Sequence, residues 1–89
     1  MEQWNKSEID FHTVSKGSIL KGQFIFVGDK KIKEIEPLCS CVGYTFKDNI
    51  LNVTWKVKPT AKGKIEKFIM IVYTDLSVDD LTLKANALS

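Results

Sequence analysis

One stretch constrains the fold more than any other: Leu51, Val53, Trp55 and Val57 alternate strictly with Asn52, Thr54, Lys56 and Lys58. A two-residue apolar period puts one face of an extended chain on a core and the other in water, and a helix cannot satisfy it. Residues 24–27 (Phe-Ile-Phe-Val) and 68–73 (Phe-Ile-Met-Ile-Val-Tyr) are short β-branched and aromatic runs with turn residues around them. Both read as central strands. Residues 9–14, 32–38, 42–46 and 81–86 bring the total to about seven strands, and no segment sustains a 3.6-residue apolar pattern. Short strands at spacings near ~8 to 12 residues predict an all-β chain, an immunoglobulin-like β-sandwich of two antiparallel sheets. A chain of 89 residues holds one such domain. Residues 9–89 are expected to form the sandwich and residues 1–8, polar apart from Met1 and Trp4, an N-terminal arm.

A hydrophobic content of 44% with 27% charged residues excludes disorder, and the charge narrows the partners. Thirteen cations against 11 acids leave a net charge of +2, and every cation is lysine. That balance argues against a specific nucleic-acid binder, and without arginine the planar fork that pairs phosphates bidentately is missing. Lys56, Lys58, Lys62, Lys64 and Lys67 form the densest group, interrupted only by Glu66. The group reads as a solvated face, with a weak anionic docking patch as the sharper alternative. No apolar run approaches the ~18 to 20 residues of a membrane helix, and residues 1–8 offer no apolar core for a signal peptide. The expectation is a soluble chain without membrane insertion, in a virion or in the cytoplasm. Asn5-Lys6-Ser7 and Asn52-Val53-Thr54 match the glycosylation pattern but are expected to be chance.

Cys39 and Cys41 are the nearest approach to a reactive site. On a strand, residues two apart lie at or beyond the ~4.4 to 6.8 Å Cα separation that a disulfide tolerates, so an intramolecular bridge is not expected. A metal site would need about four ligands, and the single histidine, His12, is far away in sequence. The spacing is not the Cys-x-x-Cys of redox helices, so two half-buried thiols are expected. No phosphate loop, nucleophile elbow or carboxylate pair in a cleft is evident, and Asp79-Asp80 on a strand would point to opposite faces. The chain is therefore read as no enzyme, with no cofactor, no metal and no small-molecule substrate.

The order of several phrases resembles a known family. Asp10-Phe11 then Gly17, residues 22–26 (Gly-Gln-Phe-Ile-Phe), Gly28-Asp29-Lys30, residues 32–35, and Cys39-Ser40-Cys41 with Thr45 are similar to a bacterial domain family of unknown function with a hydin-like immunoglobulin fold. Gly63-Lys64-Ile65-Glu66-Lys67 and Val72-Tyr73-Thr74-Asp75 match its late phrase, so the resemblance spans residues 9–87. His12 stands where the family tends to have glycine, and Asp48-Asn49 replaces a Pro-Gly-Glu turn. The resemblance implies an architecture and a tendency toward protein binding, in a phage-encoded version of the family, and no catalytic residues.

Function is sought in the surplus of apolar residues. Phe68, Met70 and Val72 line one face of their strand, and Ile69, Ile71 and Tyr73 the other. One face fills the core, and in a lone two-layer sandwich the other should be polar. Ile69, Ile71 and Tyr73 are taken as a face that docks on a protein, with Trp4 in the arm as an anchor or a latch and with Lys56 and Lys58 assisting. The partner expected is a repetitive assembly such as a major capsid protein, which this chain would decorate. The alternative is a soluble or envelope-associated bacterial module that recognises its partner by sheet-edge or sheet-face contacts.

Overall fold

The computed structural model describes residues 3–88. Of the expected arm, residues 1 and 2 lie outside the described residues, as does Ser89. Seven strands follow in chain order: β1 (Glu8–Val14), β2 (Ile19–Ile25), β3 (Ile32–Pro37), β4 (Val42–Lys47), β5 (Ile50–Lys56), β6 (Gly63–Tyr73) and β7 (Val78–Ala87). They form a four-stranded sheet in the order β1-β7-β6-β3 and a three-stranded sheet in the order β2-β5-β4. This is the immunoglobulin-like sandwich expected, with one departure: β1 runs parallel to β7. β6 is central, as its composition predicts, whereas β2 is an edge strand paired only with β5.

The alternation of β5 sets the core. Leu51, Val53, Trp55 and Val57 are all buried, and neighbouring strands of the same sheet add apolar side chains beside them: Phe24 next to Leu51, Leu20 and Val42 next to Trp55. From the other sheet come Ile69, Ile71 and Tyr73 of β6 with Leu81, Leu83 and Ala85 of β7. Asp48 and Asn49 close the β4–β5 hairpin with φ of 53° and 65°. Two successive left-handed residues are what a two-residue hairpin turn with the right twist requires, and Asp and Asn tolerate that conformation best after glycine. In β1 the register with β7 slips between Asp10 and Thr13, where His12 takes a φ of 61°. The His12 N–H donates to the Asp10 carboxylate at 2.8 Å, which supports the bulge.

The cysteines depart from expectation. A disulfide joins Cys39 and Cys41. The two cysteines do not sit on a strand: residues 38–41 form the turn between β3 and β4 and bring the two Cα atoms to 5.2 Å. That separation lies inside the range of an ordinary bridge.

Candidate functional site

Trp4 is where the arm meets the sandwich, and it is 4% exposed. Backbone bonds place it: Val27 N–H and Gly28 N–H donate to the Gln3 carbonyl at 2.8 and 3.0 Å, and Asn5 N–H donates to the Ile25 carbonyl at 2.9 Å. Gly28 permits this approach, since a Cβ there would stand 2.8 Å from Gln3 Cα. The indole packs on Phe26 and Phe46 with ring centres 5.2 and 6.1 Å away, and its N–H donates to the Tyr73 hydroxyl at 2.8 Å. Tyr73 in turn donates to Asp79 Oδ2 at 2.6 Å. Burial first, and then the bond to Asp79, hold the Tyr73 phenol well above its ordinary value. The Lys30 ammonium lies 5.4 Å from the centre of the Tyr73 ring and bonds Ser77 Oγ at 2.8 Å. Every charged or polar group in this chain of contacts has a partner within the protein, so Trp4 is a latch.

The face assigned to docking from sequence is thereby overturned. Ile69 and Ile71 are fully buried and Tyr73 nearly so. The register decides it: Ile69 pairs with Leu81 and Ile71 with Asp79, residues that turn toward the opposing sheet. Lys56 projects from the three-stranded sheet, and Lys58 stands beyond the end of β5 near Ile65 and Lys67 at the start of β6, so neither joins Trp4 or the Ile69–Tyr73 part of that strand. Of the expected set, Trp4, Ile69, Ile71 and Tyr73 are brought together, but inside the core, where Trp4 bonds Tyr73.

The outward row of β6 is the other half of the same strand. Phe68 is 39% exposed, and Met70 and Val72 are half-buried. Their cross-strand neighbours are Glu36 and Asp80 on either side of Met70, and Glu34 and Val78 on either side of Val72. Farther along the same face, Phe68 pairs with Thr82, and Glu8 stands beyond it on β1. An apolar strip thus runs along the middle of the sheet with carboxylates on both sides. Lys84 is tied to Glu8 at 2.8 Å, and that bond raises its ammonium above the ordinary value. The outer face of the other sheet has a polar, lysine-bearing middle, where Lys21, Lys47 and Lys56 project with Gln23, Asn52 and Thr54, and exposed Ile19 and Ile25 stand at its two ends.

The disulfide turn is a third feature. A bridge across so short a loop removes little freedom from the unfolded chain, about 1.6 kcal/mol where a fifteen-residue loop would remove about 3. Cys39 and Cys41 are both half-buried against the rim of the core. Among the described residues, no three His, Cys, Asp or Glu side chains converge as metal ligands would.

No family model matches the chain, and no curated protein matches it. Solved structures do. An endo-fucoidan hydrolase from glycoside hydrolase family 107 and a variant of that enzyme both superpose with a TM-score of 0.64. They share 7% and 6% sequence identity with the chain and cover 96% of it. This chain spans only 13% of theirs. A likeness at that identity is one of fold.

Proposed function

We propose that this domain is a non-enzymatic protein-binding module, an accessory component that docks on a larger assembly through the outer face of its four-stranded sheet. The observation that carries the reading is the Phe68, Met70 and Val72 strip between Glu34 and Glu36 on one side and Asp80 on the other. The outward side of a two-layer sandwich is normally polar, as it is on β5, where Asn52 and Lys56 project. An apolar centre with a charged border is the anatomy of a protein interface. The carboxylate border suits a partner whose own apolar patch is fringed with lysine or arginine, because complementary charge steers encounter and sets register. A repetitive particle, such as the major capsid protein lattice of a phage, is the setting we propose: a flat face suffices there and a cleft is not needed. The hydrolase likeness concerns fold, so no glycosidic chemistry is carried over to this chain.

Density-gradient sedimentation of native source material, with mass spectrometry of each fraction, tests the proposal. The chain is expected to co-migrate with a large particle at fixed stoichiometry. Tagged chain carrying Phe68→Ser with Met70→Gln, or Glu36→Lys with Asp80→Lys, should bind that particle at least tenfold more weakly while its circular dichroism is unchanged, since central interface anchors each contribute more than about 1.4 kcal/mol. Lys56→Glu on the opposite sheet should bind normally. Recovery only as free protein at the top of the gradient, or full binding by both face variants, would overturn the proposal.

A further inference from the structure

The docking face uses neither the Cys39-Ser40-Cys41 turn nor the lysine-rich segment after β5, and the fold places the two side by side. Cys41 opens onto a depression of about 190 Å³ lined by Trp55, Lys58, Ala61, Ile65 and Lys67. Its floor is apolar and its rim carries two of the five clustered lysines. The sulfur of Cys39 is differently placed, because the backbone N–H of Cys41 donates to it at 3.4 Å. The two ends of one disulfide therefore have different surroundings, a cationic hollow at Cys41 and a hydrogen-bond donor at Cys39.

We propose that the Cys39–Cys41 disulfide is a thiol–disulfide exchange site for anionic low-molecular-weight thiols, entered at Cys41. Three observations converge on it. The loop is too short for the bridge to act chiefly as a staple on the unfolded chain. The turn leaves both cysteines half-buried at the edge of the core, each lining a surface depression, rather than sealed within it. The lysines beside Cys41 draw in an anion and favour thiolate over thiol, while the N–H at Cys39 favours charge on the sulfur that must depart.

The step balances without an external oxidant. The incoming thiolate attacks Cys41 Sγ, a new S–S bond forms between them, and the Cys39–Cys41 bond breaks with its electron pair going to Cys39 Sγ. The product is a mixed disulfide on Cys41 and a thiolate at Cys39, with no net change in oxidation. A second thiolate of the same class can then attack the outer sulfur of the mixed disulfide. That releases the symmetrical disulfide of the small thiol and leaves the protein as its dithiolate, so two electrons have passed from two small thiols to the protein. Alternatively, Cys39 returns to Cys41 and expels the small thiol, restoring the starting bridge.

The probe is reduced glutathione, which carries net negative charge, compared with cysteamine, which carries positive charge, at equal thiolate concentration. The full chain is incubated with each, quenched with N-ethylmaleimide and mapped by mass spectrometry. The expected product carries glutathione on Cys41 and the maleimide on Cys39. Glutathione should react about tenfold faster than cysteamine, the order that two fixed cations within a Debye length give a thiolate of net charge −2 over a zwitterionic thiolate of no net charge. The advantage should shrink toward equality in about 1 M salt. It should also shrink in Lys58→Gln, an exposed position whose loss leaves the fold intact, and further when Lys67→Gln is added. A disulfide that resists both thiols, an adduct found mainly on Cys39, equal rates for the two thiols, or an anion preference that survives the Lys58 and Lys67 substitutions would each overturn the proposal.

Discussion

Replacing Trp4 with alanine tests whether the N-terminal segment is part of the folded domain or an appendage awaiting a partner. The indole is 4% exposed, contacts Phe26 and Phe46, and donates a 2.8 Å hydrogen bond to Tyr73. Deleting a buried aromatic ring of this kind costs about 3 to 5 kcal/mol in a core. The lower end applies here, because the segment can peel away and water can enter instead of leaving a sealed cavity. A loss of about 3 kcal/mol corresponds to a Tm lowered by roughly 12 to 24 °C in a domain of this size. Trp4→Phe separates packing from the hydrogen bond. It keeps most of the ring contact and removes one N–H donor, while the Tyr73 hydroxyl still donates to Asp79. About 1 kcal/mol, or roughly 4 to 8 °C, is the expected loss. Thermal unfolding followed by circular dichroism reads both. A Tm for Trp4→Ala within about 5 °C of the parent would refute the latch and return Trp4 to the role of a free anchor.

Two further outcomes follow from local geometry. The Asp75 carboxylate accepts bonds from the Ser77 hydroxyl and from the Ser77 N–H, and these hold it at about 2. A carboxyl depressed in the folded state stabilises it above the unfolded value near pH 4 and loses that contribution as pH falls toward 2, so the β6–β7 turn should loosen in that window. Carboxyl chemical shifts followed by NMR should give Asp75 a midpoint near 2, and a midpoint near 4 would exclude the arrangement. His12→Gly should leave the Tm unchanged or raise it, by roughly 0 to 13 °C. The left-handed conformation costs a side-chain-bearing residue about 1 to 2 kcal/mol, of which the greater freedom of glycine in the unfolded chain cancels about 0.4 to 1. The backbone N–H that bonds Asp10 survives the change. A lower Tm would show that the histidine ring contributes more than its exposed position suggests.

Much of the fold is legible residue by residue. The β5 alternation names four core positions, and the Asp48-Asn49 pair marks a tight hairpin. Strand ends are less legible. β6 begins at Gly63, five residues before the apolar run, because Lys64, Glu66 and Lys67 extend a ladder whose hydrogen bonds come from β7 and owe nothing to side-chain hydrophobicity. β2 begins at Ile19 for a similar reason: Lys21, Gly22 and Gln23 look like loop until β5 supplies their partners. The cysteine bridge is not legible from spacing, because an extended chain would hold residues 39 and 41 apart, and only the turn between β3 and β4 shortens their separation.

The candidate site shows the same division. Local pattern alone identifies the strand at residues 68–73 and shows that both of its faces are apolar, which is the unusual property on which the functional reading rests. It cannot say which face is the surface, because Phe68, Met70 and Val72 are as hydrophobic as Ile69, Ile71 and Tyr73. Pairing with β7 breaks the tie. Ile69 opposite Leu81 must share a side with Leu83, and Met70 opposite Asp80 must share a side with Glu36. A slip of one residue would reverse both assignments. Strand periodicity and composition alone make this chain a sandwich with an apolar excess. Only the tertiary register decided that the excess lies at Phe68, Met70 and Val72, because which side of a strand meets water is a property of its neighbours.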